Sequence, residues 1–507
     1  MSRVALASVV ALTGAAVLVL EILGTRVLGP DFGVSLLLWS VLISVTLAAL
    51  AAGYALGGRW AGTAPSAARL ALLPGVAGAW VLLIPFCRGA LGAATRTWDP
   101  TAGLLVCATV LFFPPLMLLG MVGPYAIRLG THSVDEVGRV SGNLFAVSTL
   151  ASVAAALATG FTLIPVLGVT RLLMAVSLAL FVAAAIAWLS AKSRGGVVAA
   201  MLGMSLAVVV AGRSQAHVPG VLAKIESRYA QLRVIDVDNL RYLLIDGSPH
   251  TILDTDEGEP RQPHVYAAEI AADLFARHGR MLLLGLGGGA MAEVFSRHGW
   301  DVDAVEVDRE VARLAAQFFR LKPFHARVVI GDAREEMRRS HERYDVVMFD
   351  ACGGASIPFH LVTREAFAEA KAHLTPDGVV MLNTEAVGWQ DPIVHALAAT
   401  LRTQFRNVFA MPTAEPQNAV GNVVLMASDR DLDVTSEQLG DPVATLSDDD
   451  EHFRVLSRRH AWENRYDPRM GRVLTDDWNP IDLRGDAINR AMRAKMRTIL
   501  PDSLLRD

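Results

Sequence analysis

The sequence predicts a multi-pass α-helical membrane segment followed by an α/β domain on a mostly parallel sheet, and three observations carry that prediction. Charge is unevenly spread: residues 1–215 hold 12 of the 46 Lys and Arg and 5 of the 50 Asp and Glu, so this part is near +7 and the rest near −11. A part so apolar is excluded as a soluble domain, because spans of roughly 20 apolar residues are what crosses about 30 Å of hydrocarbon. Next, four short runs rich in β-branched and apolar residues follow one another at helix-length spacing: MLLLGLGGGAM, VDAVEVD, ARVVIGDAR and YDVVMFDACGG. Each ends in a glycine or an acid, at Gly285, Glu306, Asp332 and Asp350, which is the pattern of parallel strands joined by crossover helices. Ligands of such sheets lie outside the carboxyl ends of the strands, so these four residues are expected to line one crevice.

Seven spans are expected in the first part: Val4 to Leu23, Val34 to Leu56, Leu70 to Phe86, Gly103 to Met121, Val140 to Leu163, Leu172 to Leu189 and Val197 to Ala211. The first is too long to be a cleaved signal, carries Glu21 and is followed by no small-residue cleavage site. The loops between spans are short. Basic residues on the amino-end side (Arg3, Arg59, Arg69, Arg128, Arg139, Lys192, Arg194) outnumber those on the other (Arg26, Arg88, Arg96, Arg171), which favours a cytoplasmic amino end. With seven helices that orientation would export the carboxyl domain. A cytoplasmic domain calls instead for six or eight spans, or for seven with the amino end outside.

Gly53 and Gly57, in GYALGGR, have the four-residue spacing that lets helices approach closely. An ionisable residue within a span is a functional candidate, so Glu21 could mark a solute path; the plainer expectation is that it pairs with Arg26 near the interface. Residues 212–222 read as a hinge. The period then changes: LRVIDVD and RYLLIDG alternate around Asp238-Asn239 and read as a hairpin of a small β-sheet. Asp254 to His264 is acidic and Pro-rich, hence a loop, and HVYAAEIAADLFARHG is an amphipathic helix. After Asp350 a Gly- and Pro-containing loop, a helix from Thr363 and the strand Gly378 to Asn383 follow. Two more strands, Asn407 to Ala410 and Asn422 to Met426, complete seven. The charged tail is expected to be helical near Phe453 to Glu463 and Asp486 to Ile499.

The domains expected are a transmembrane helical part (1–215), a small antiparallel β subdomain (216–260), a Rossmann-like donor-binding domain (261–430) and a helical tail (431–507). Cys87, Cys107 and Cys352 give no pairing pattern, and Cys352 has no evident thiolate stabiliser in the sequence. Thirteen histidines show neither HExxH nor paired CxxC spacing, so no metal is expected. Glycines between strand and helix allow close backbone approach to a ligand, and an acid after the second strand can accept both hydrogen bonds of a ribose diol. A nucleoside fits this arrangement.

GLGGGAM, VEVD, GDAR and FDACGG, in this order and spacing, resemble the core of the spermidine synthases, which share the class I methyltransferase fold. With IESRYAQLRVIDVDNLRYLLIDG upstream and IPFHLVTREAF, GNVVLMAS and LTDDWNP downstream, the chain resembles their membrane-bound relatives. The resemblance implies transfer of an aminopropyl group from decarboxylated S-adenosylmethionine to an amine such as putrescine. It makes Asp350 the proton acceptor and Glu306 the ribose-binding acid. It matches Asp332, with the adjoining Ala333, to the adenine contact, and Gly285, Gly287, Gly288 and Gly289 to the donor loop. The amine side departs from the family pattern. Ala290 stands where the family has an acid facing the donor's amine, the Tyr-His pair is Tyr266-Ala267, the hairpin Gln aligns with Ala230, and the second acid of the DxxD loop aligns with Gly353. Gln231 and Tyr266 are the acceptor-side candidates, with Asp254, Asp256 or Glu257 as possible replacement acids.

Two other functions fit the residues: an S-adenosylmethionine-dependent methyltransferase for a membrane-associated acceptor, or a non-catalytic nucleoside-binding membrane protein. The partners expected are a small-molecule amine or another acceptor and the lipid bilayer. No nucleic acid is expected, and a homodimer is compatible. The location expected is the cell (inner) membrane, multi-pass, with the catalytic domain cytoplasmic.

Overall fold

The computed structural model describes residues 1–63, 65–95, 97–213, 218–275, 279–352, 357–414, 416–430, 470–501 and 504. The chain forms two compact units, Met1–Val218 with Ile225–Arg228, and Pro219–Lys224 with Tyr229–Leu505. The tail segment Phe453 to Glu463 and the residue aligned with the second DxxD acid, Gly353, lie outside the described residues.

The first unit is helical: α1 (Arg3–Phe32), α2 (Leu36–Ala61), α3 (Ala67–Ala94), α4 (Pro100–Gly130), α5 (Val137–Ala158), α6 (Ile164–Ser190) and α7 (Arg194–Arg213). Side chains of Ser2, Ser35, Ser66 and Asp99 cap α1 to α4, which satisfies amide donors that a helix start leaves open. Six stretches are long and apolar enough to cross a membrane, and the fifth, Val134–Ser190, is 57 residues long. As one helix it would measure about 85 Å, far more than a bilayer core. It is divided at Gly168, whose φ of 74° and ψ of 166° break α6 near its start.

Contacts give the directions of the helices. Gly14 of α1 meets Ser148 of α5, and Leu6 and Val140 both meet Gly130, so α1 and α5 run parallel. The end of α3 meets the end of α1 at Gly92 and Asp31, so these two also run parallel. In α6, Ser177 donates to the Gly78 carbonyl of α3 at 2.8 Å, while Trp188 packs on Gly75, so α6 runs the opposite way. The chain thus reverses after Gly168 and makes seven alternating passes.

Small residues bring α2 and α4 together. A Cβ on Gly53 would lie 2.3 Å from the Met117 carbonyl oxygen, and one on Gly57 would lie 2.6 Å from the Met121 Cα. The four-residue glycine spacing therefore does what the sequence implied. Glu21 is different: among the described residues it makes no ion pair with Arg26, whose guanidinium donates to the Ser227 and Arg228 carbonyls at 3.5 and 3.0 Å. The opposite charges of the two residues suggested a pair; backbone oxygens take that cation instead.

The second unit opens with a four-stranded sheet, β1 (Val221–Glu226), β2 (Gln231–Val237), β3 (Leu240–Ile245) and β4 (Ser248–Asp254), in that order. Val237 pairs with Leu240 across the expected turn, where Asp238 takes a left-handed φ of 52°. Then come α8 (Pro263–Phe275), β5 (Arg280–Leu284), α9 (Ala290–Arg297), β6 (Asp301–Glu306), α10 (Arg309–Phe318), β7 (Arg327–Ile330), α11 (Ala333–Arg339) and β8 (Tyr344–Phe349). After a short turn, α12 (Arg364–Ala372), β9 (Leu374–Val387), α13 (Pro392–Arg402), β10 (Asn407–Pro412), β11 (Val420–Ser428) and α14 (Ile481–Ile499) complete it.

The seven strands from β5 onward form one sheet, ordered β10-β11-β9-β8-β5-β6-β7. β11 is antiparallel to both neighbours and the other pairings are parallel. Both faces are covered by buried apolar side chains, Leu284, Phe349, Phe367 and Leu382 on one and Leu283, Phe295, Met348 and Met381 on the other, as the near-continuous apolar runs require.

Candidate functional site

The carboxyl ends of β5, β6 and β8 open into a cavity of about 630 Å³, within the range that holds small ligands. Gly285, Gly287, Glu306, Asp332, Ala333 and Asp350 all line it. The strand-end features predicted to share a crevice do share one.

Gly285 follows β5 with a φ of 103°, and a Cβ there would lie 2.4 Å from the Asp350 carbonyl oxygen. Only glycine lets the two strand ends come this close. Gly288 and Gly289, also expected to cradle the donor, do not line the cavity. The Gly288 amide donates to the Thr251 hydroxyl at 2.8 Å, and a Cβ there would lie 2.7 Å from Thr251 Cγ2. Gly289 packs on Leu321. These two glycines admit neighbouring protein rather than ligand.

Glu306, at the end of β6, accepts from the Leu286 amide at 3.1 Å and from the Asp308 amide at 2.9 Å. It thereby holds the glycine loop against β6. Burial pushes its carboxyl above the usual range, although the Asp308, Leu286 and Gly287 amides pull it down. Asp332 caps α11 through the Arg334 and Glu335 amides, both at 3.0 Å, and its other oxygen meets His360 Nε2 at 3.1 Å. Burial raises the Asp332 carboxyl, but these amides and His360 more than offset it and leave it below the usual range. Asp332 Oδ1 accepts twice, whereas its Oδ2 meets only His360 and keeps a lone pair for a ligand hydroxyl or amine.

His360 is held by the LTDDWNP segment. Asn479 Nδ2 donates to the Phe359 carbonyl at 2.8 Å. Asp476 and Glu369 each pair with the buried Arg334 at 2.8 Å, and Arg334 donates to the His360 carbonyl at 3.0 Å. Motif residues far apart in sequence thus fix one corner of the cavity.

On the other side stands Asp350, which accepts from Asn383 Nδ2 at 2.8 Å; Asn422 Nδ2 in turn donates to Asn383 Oδ1 at 3.0 Å. His264 lies beside Asn422 and Asp350, and its buried Nδ1 has no partner among the described residues. Burial pushes the Asp350 carboxyl up, with His264 and Asn383 pulling it down. Burial lowers His264, so the imidazole stays neutral and can accept or relay a proton. The Cys352 thiol is raised well above its ordinary value by burial, then by Glu385 and Asp350. It is therefore no thiolate nucleophile at neutral pH.

The acceptor-side expectations need correction. Gln231 and Tyr266 do not line the cavity: Gln231 Oε1 accepts from Arg233 at 3.1 Å, and the Tyr266 hydroxyl donates to the Pro260 carbonyl at 2.9 Å. Gln231 is buried at the start of β2, and Tyr229, two residues earlier and ahead of the strand, lines the cavity instead. The acidic loop supplies no replacement acid either. Asp254 is bound by Arg261 at 2.7 Å and accepts from the Asp256 and Glu257 amides, and Glu257 pairs with Arg261 at 2.9 Å.

Sequence reasoning missed His264, Asn383, Glu385 and Lys495, all of which line the cavity. Asn383 and His264 were visible only as the ends of a strand and a loop. No group of residues suited to hold a metal ion occurs among the described residues.

Comparison with known proteins gives this geometry a family. A family model described as "Spermine/spermidine synthase domain" matches residues 264–435. The polyamine aminopropyltransferase of Vibrio vulnificus (strain CMCP6) is 30% identical over 218 residues, covering 40% of this chain and 69% of that protein. A probable polyamine aminopropyl transferase of Bifidobacterium longum (strain NCC 2705) is 27% identical, covering 43% of this chain and 52% of that protein. The crystal structure of a probable spermidine synthase from Corynebacterium glutamicum ATCC 13032 aligns with a TM-score of 0.37 at 21% identity, covering 42% of this chain and 81% of that one. With the α/β unit matching over the length that carries the strand-end acids, the chain belongs to the polyamine aminopropyltransferase family.

Proposed function

We propose that the protein is a membrane-anchored transferase that moves an aminopropyl group from decarboxylated S-adenosylmethionine to an amine. The observation that carries this reading is a single cavity with Glu306 and Asp332 at one end and Asp350, its carboxyl raised by burial, at the other. The carbon beside a sulfonium is already electrophilic, so the protein must mainly align the reactants and strip the amine of its proton. A free alkyl ammonium has a pKa of about 10, well above a solvated carboxylate. A carboxyl raised by burial narrows that gap, and Asp350 takes the proton as the amine nitrogen bonds to carbon and the carbon–sulfur bond breaks to release methylthioadenosine. Glu306 is suited to the ribose diol and Asp332, beside Ala333, to the adenine amine.

The apolar helices support a multi-pass location in the cell membrane, with the α/β domain on the cytoplasmic side, where adenosyl donors are made. One observation favours a second reading. Ala290 lines the cavity where the family has an acid for the donor's amine, which leaves room for the carboxylate of S-adenosylmethionine and hence for methyl transfer.

Incubating the detergent-solubilised full chain with each donor and an amine separates the two. Methylthioadenosine supports aminopropyl transfer, whereas S-adenosylhomocysteine supports the methyltransferase. Calorimetry with Glu306→Ala and Asp332→Ala tests the donor half: full affinity of both variants for every adenosyl compound would sink either reading.

A further inference from the structure

We propose that Glu385 receives the remote ammonium of a diamine acceptor, and that Lys495 of α14 is the cation which that ammonium replaces. This rests on the proposed aminopropyl transfer and names its acceptor class. Four acids line the cavity, and three are engaged: Glu306 and Asp332 by backbone amides, Asp350 by Asn383. Glu385 differs, because its buried Oε2 has no hydrogen-bond partner among the described residues. An unpartnered buried carboxylate oxygen is costly, and it persists where a ligand completes it.

Position on the strand fits a diamine. Asn383, which holds Asp350, and Glu385 lie two residues apart on β9, so their side chains leave the same face about 7 Å apart. Both Glu385 and Asp350 act on the Cys352 thiol, which lines the same cavity. A short α,ω-diamine can thus place one nitrogen at Asp350, to lose its proton and attack, while the other stays charged at Glu385. In sequence the family's second DxxD acid aligns with Gly353, and Glu385 supplies the cavity with another acid.

Lys495 lines the same cavity, with Met492, Met496 and Ile499 on the same face of α14. Its charge acts on Glu385, yet among the described residues no ion pair within 4 Å holds it. It offsets the carboxylate without occupying its oxygen. The Met and Ile side chains around it suit the methylene chain of an acceptor.

The test uses full-length protein in detergent with 1,4-diaminobutane and n-butylamine, following methylthioadenosine with decarboxylated S-adenosylmethionine present, and amine-induced thermal shift without donor. Removing a charge-assisted hydrogen bond is expected to raise the diamine KM of Glu385→Gln on the order of tenfold or more, with kcat and the n-butylamine KM little changed. Lys495→Met is expected to lower the diamine KM severalfold, an opposite sign that loss of folding cannot mimic. If no amine yields product, aminopropyl transfer fails, and the thermal shift decides this proposal alone: a diamine shift in the wild type that Glu385→Gln abolishes upholds it. Equal diamine and n-butylamine responses in wild type and Glu385→Gln, by either readout, overturn it.

Discussion

The Asp350 carboxyl is the residue on which the chemistry turns, and its environment makes it separable from donor binding. Asp350→Asn keeps the hydrogen bond from Asn383 within reach of a side-chain oxygen but cannot accept the amine's proton. Product formation should fall roughly 10²- to 10⁴-fold while calorimetric donor affinity stays near that of the wild type; equal loss of both would show a structural role instead. Glu385 makes a second prediction, on stability. Burial raises its carboxyl from 4.5 to about 8, with Lys495 pulling the other way, and its charge in turn acts on the Cys352 thiol. A group whose folded pKa is raised binds a proton in the folded state that the unfolded chain has already lost. Its contribution is therefore greatest below about pH 4.5 and is lost as pH rises toward 8, so the ligand-free protein should lose up to a few kcal/mol across that window. In thermal melts, Glu385→Gln should flatten this decline; an unchanged slope would show that Glu385 does not carry it.

At the scale of elements, the sequence made legible whatever depends on short-range pattern. The alternation around Asp238-Asn239 marked the β2–β3 hairpin, and the acid or glycine closing each apolar run marked β5 to β8. The acceptor end was not legible, for two physical reasons. The apolar run of β9 stops at Asn383, whereas the strand continues to Val387; a strand read by apolarity therefore ends two residues before Glu385. Lys495 reaches the cavity from a helix more than a hundred residues further on, a placement set by tertiary packing alone. The same holds for Asp476, which belongs to a recognisable motif whose partner is Arg334 on α11. Weakening that pair with Asp476→Asn should cost about 1–2 kcal/mol, because Asp476 is partly exposed and Glu369 still pairs with Arg334. Because Arg334 and Asn479 together hold the His360 turn against Asp332, donor affinity should drop as well. A melt lowered with donor affinity intact would confine the segment's role to stability.

For the whole molecule, the decisive quantity is the parity of the membrane passes. Apolar composition made the helical part legible, and its seven expected spans correspond to seven helices, but direction came only from packing: Gly14 on Ser148, Ser177 on Gly78 and the break at Gly168. Seven helices of alternating direction, if each crosses the membrane, put the amino end and the end of α7 on opposite faces of it. Two physical tendencies then pull apart. Arg and Lys flanking the passes are more numerous on the amino-end face, which favours that face in the cytoplasm. The adenosyl donor proposed for the cavity is made in the cytoplasm, and a cytoplasmic α/β domain calls for the amino end outside. We expect the second to prevail. In cells expressing a variant whose native cysteines, exposed Cys87 among them, are replaced by serine, a membrane-impermeant maleimide should label Ser2→Cys in intact cells. It should label Arg313→Cys, on the exposed side of α10, only after the membrane is opened. The reverse pattern would export the α/β domain, and the donor would then have to be sought among adenosyl compounds outside the cytoplasm.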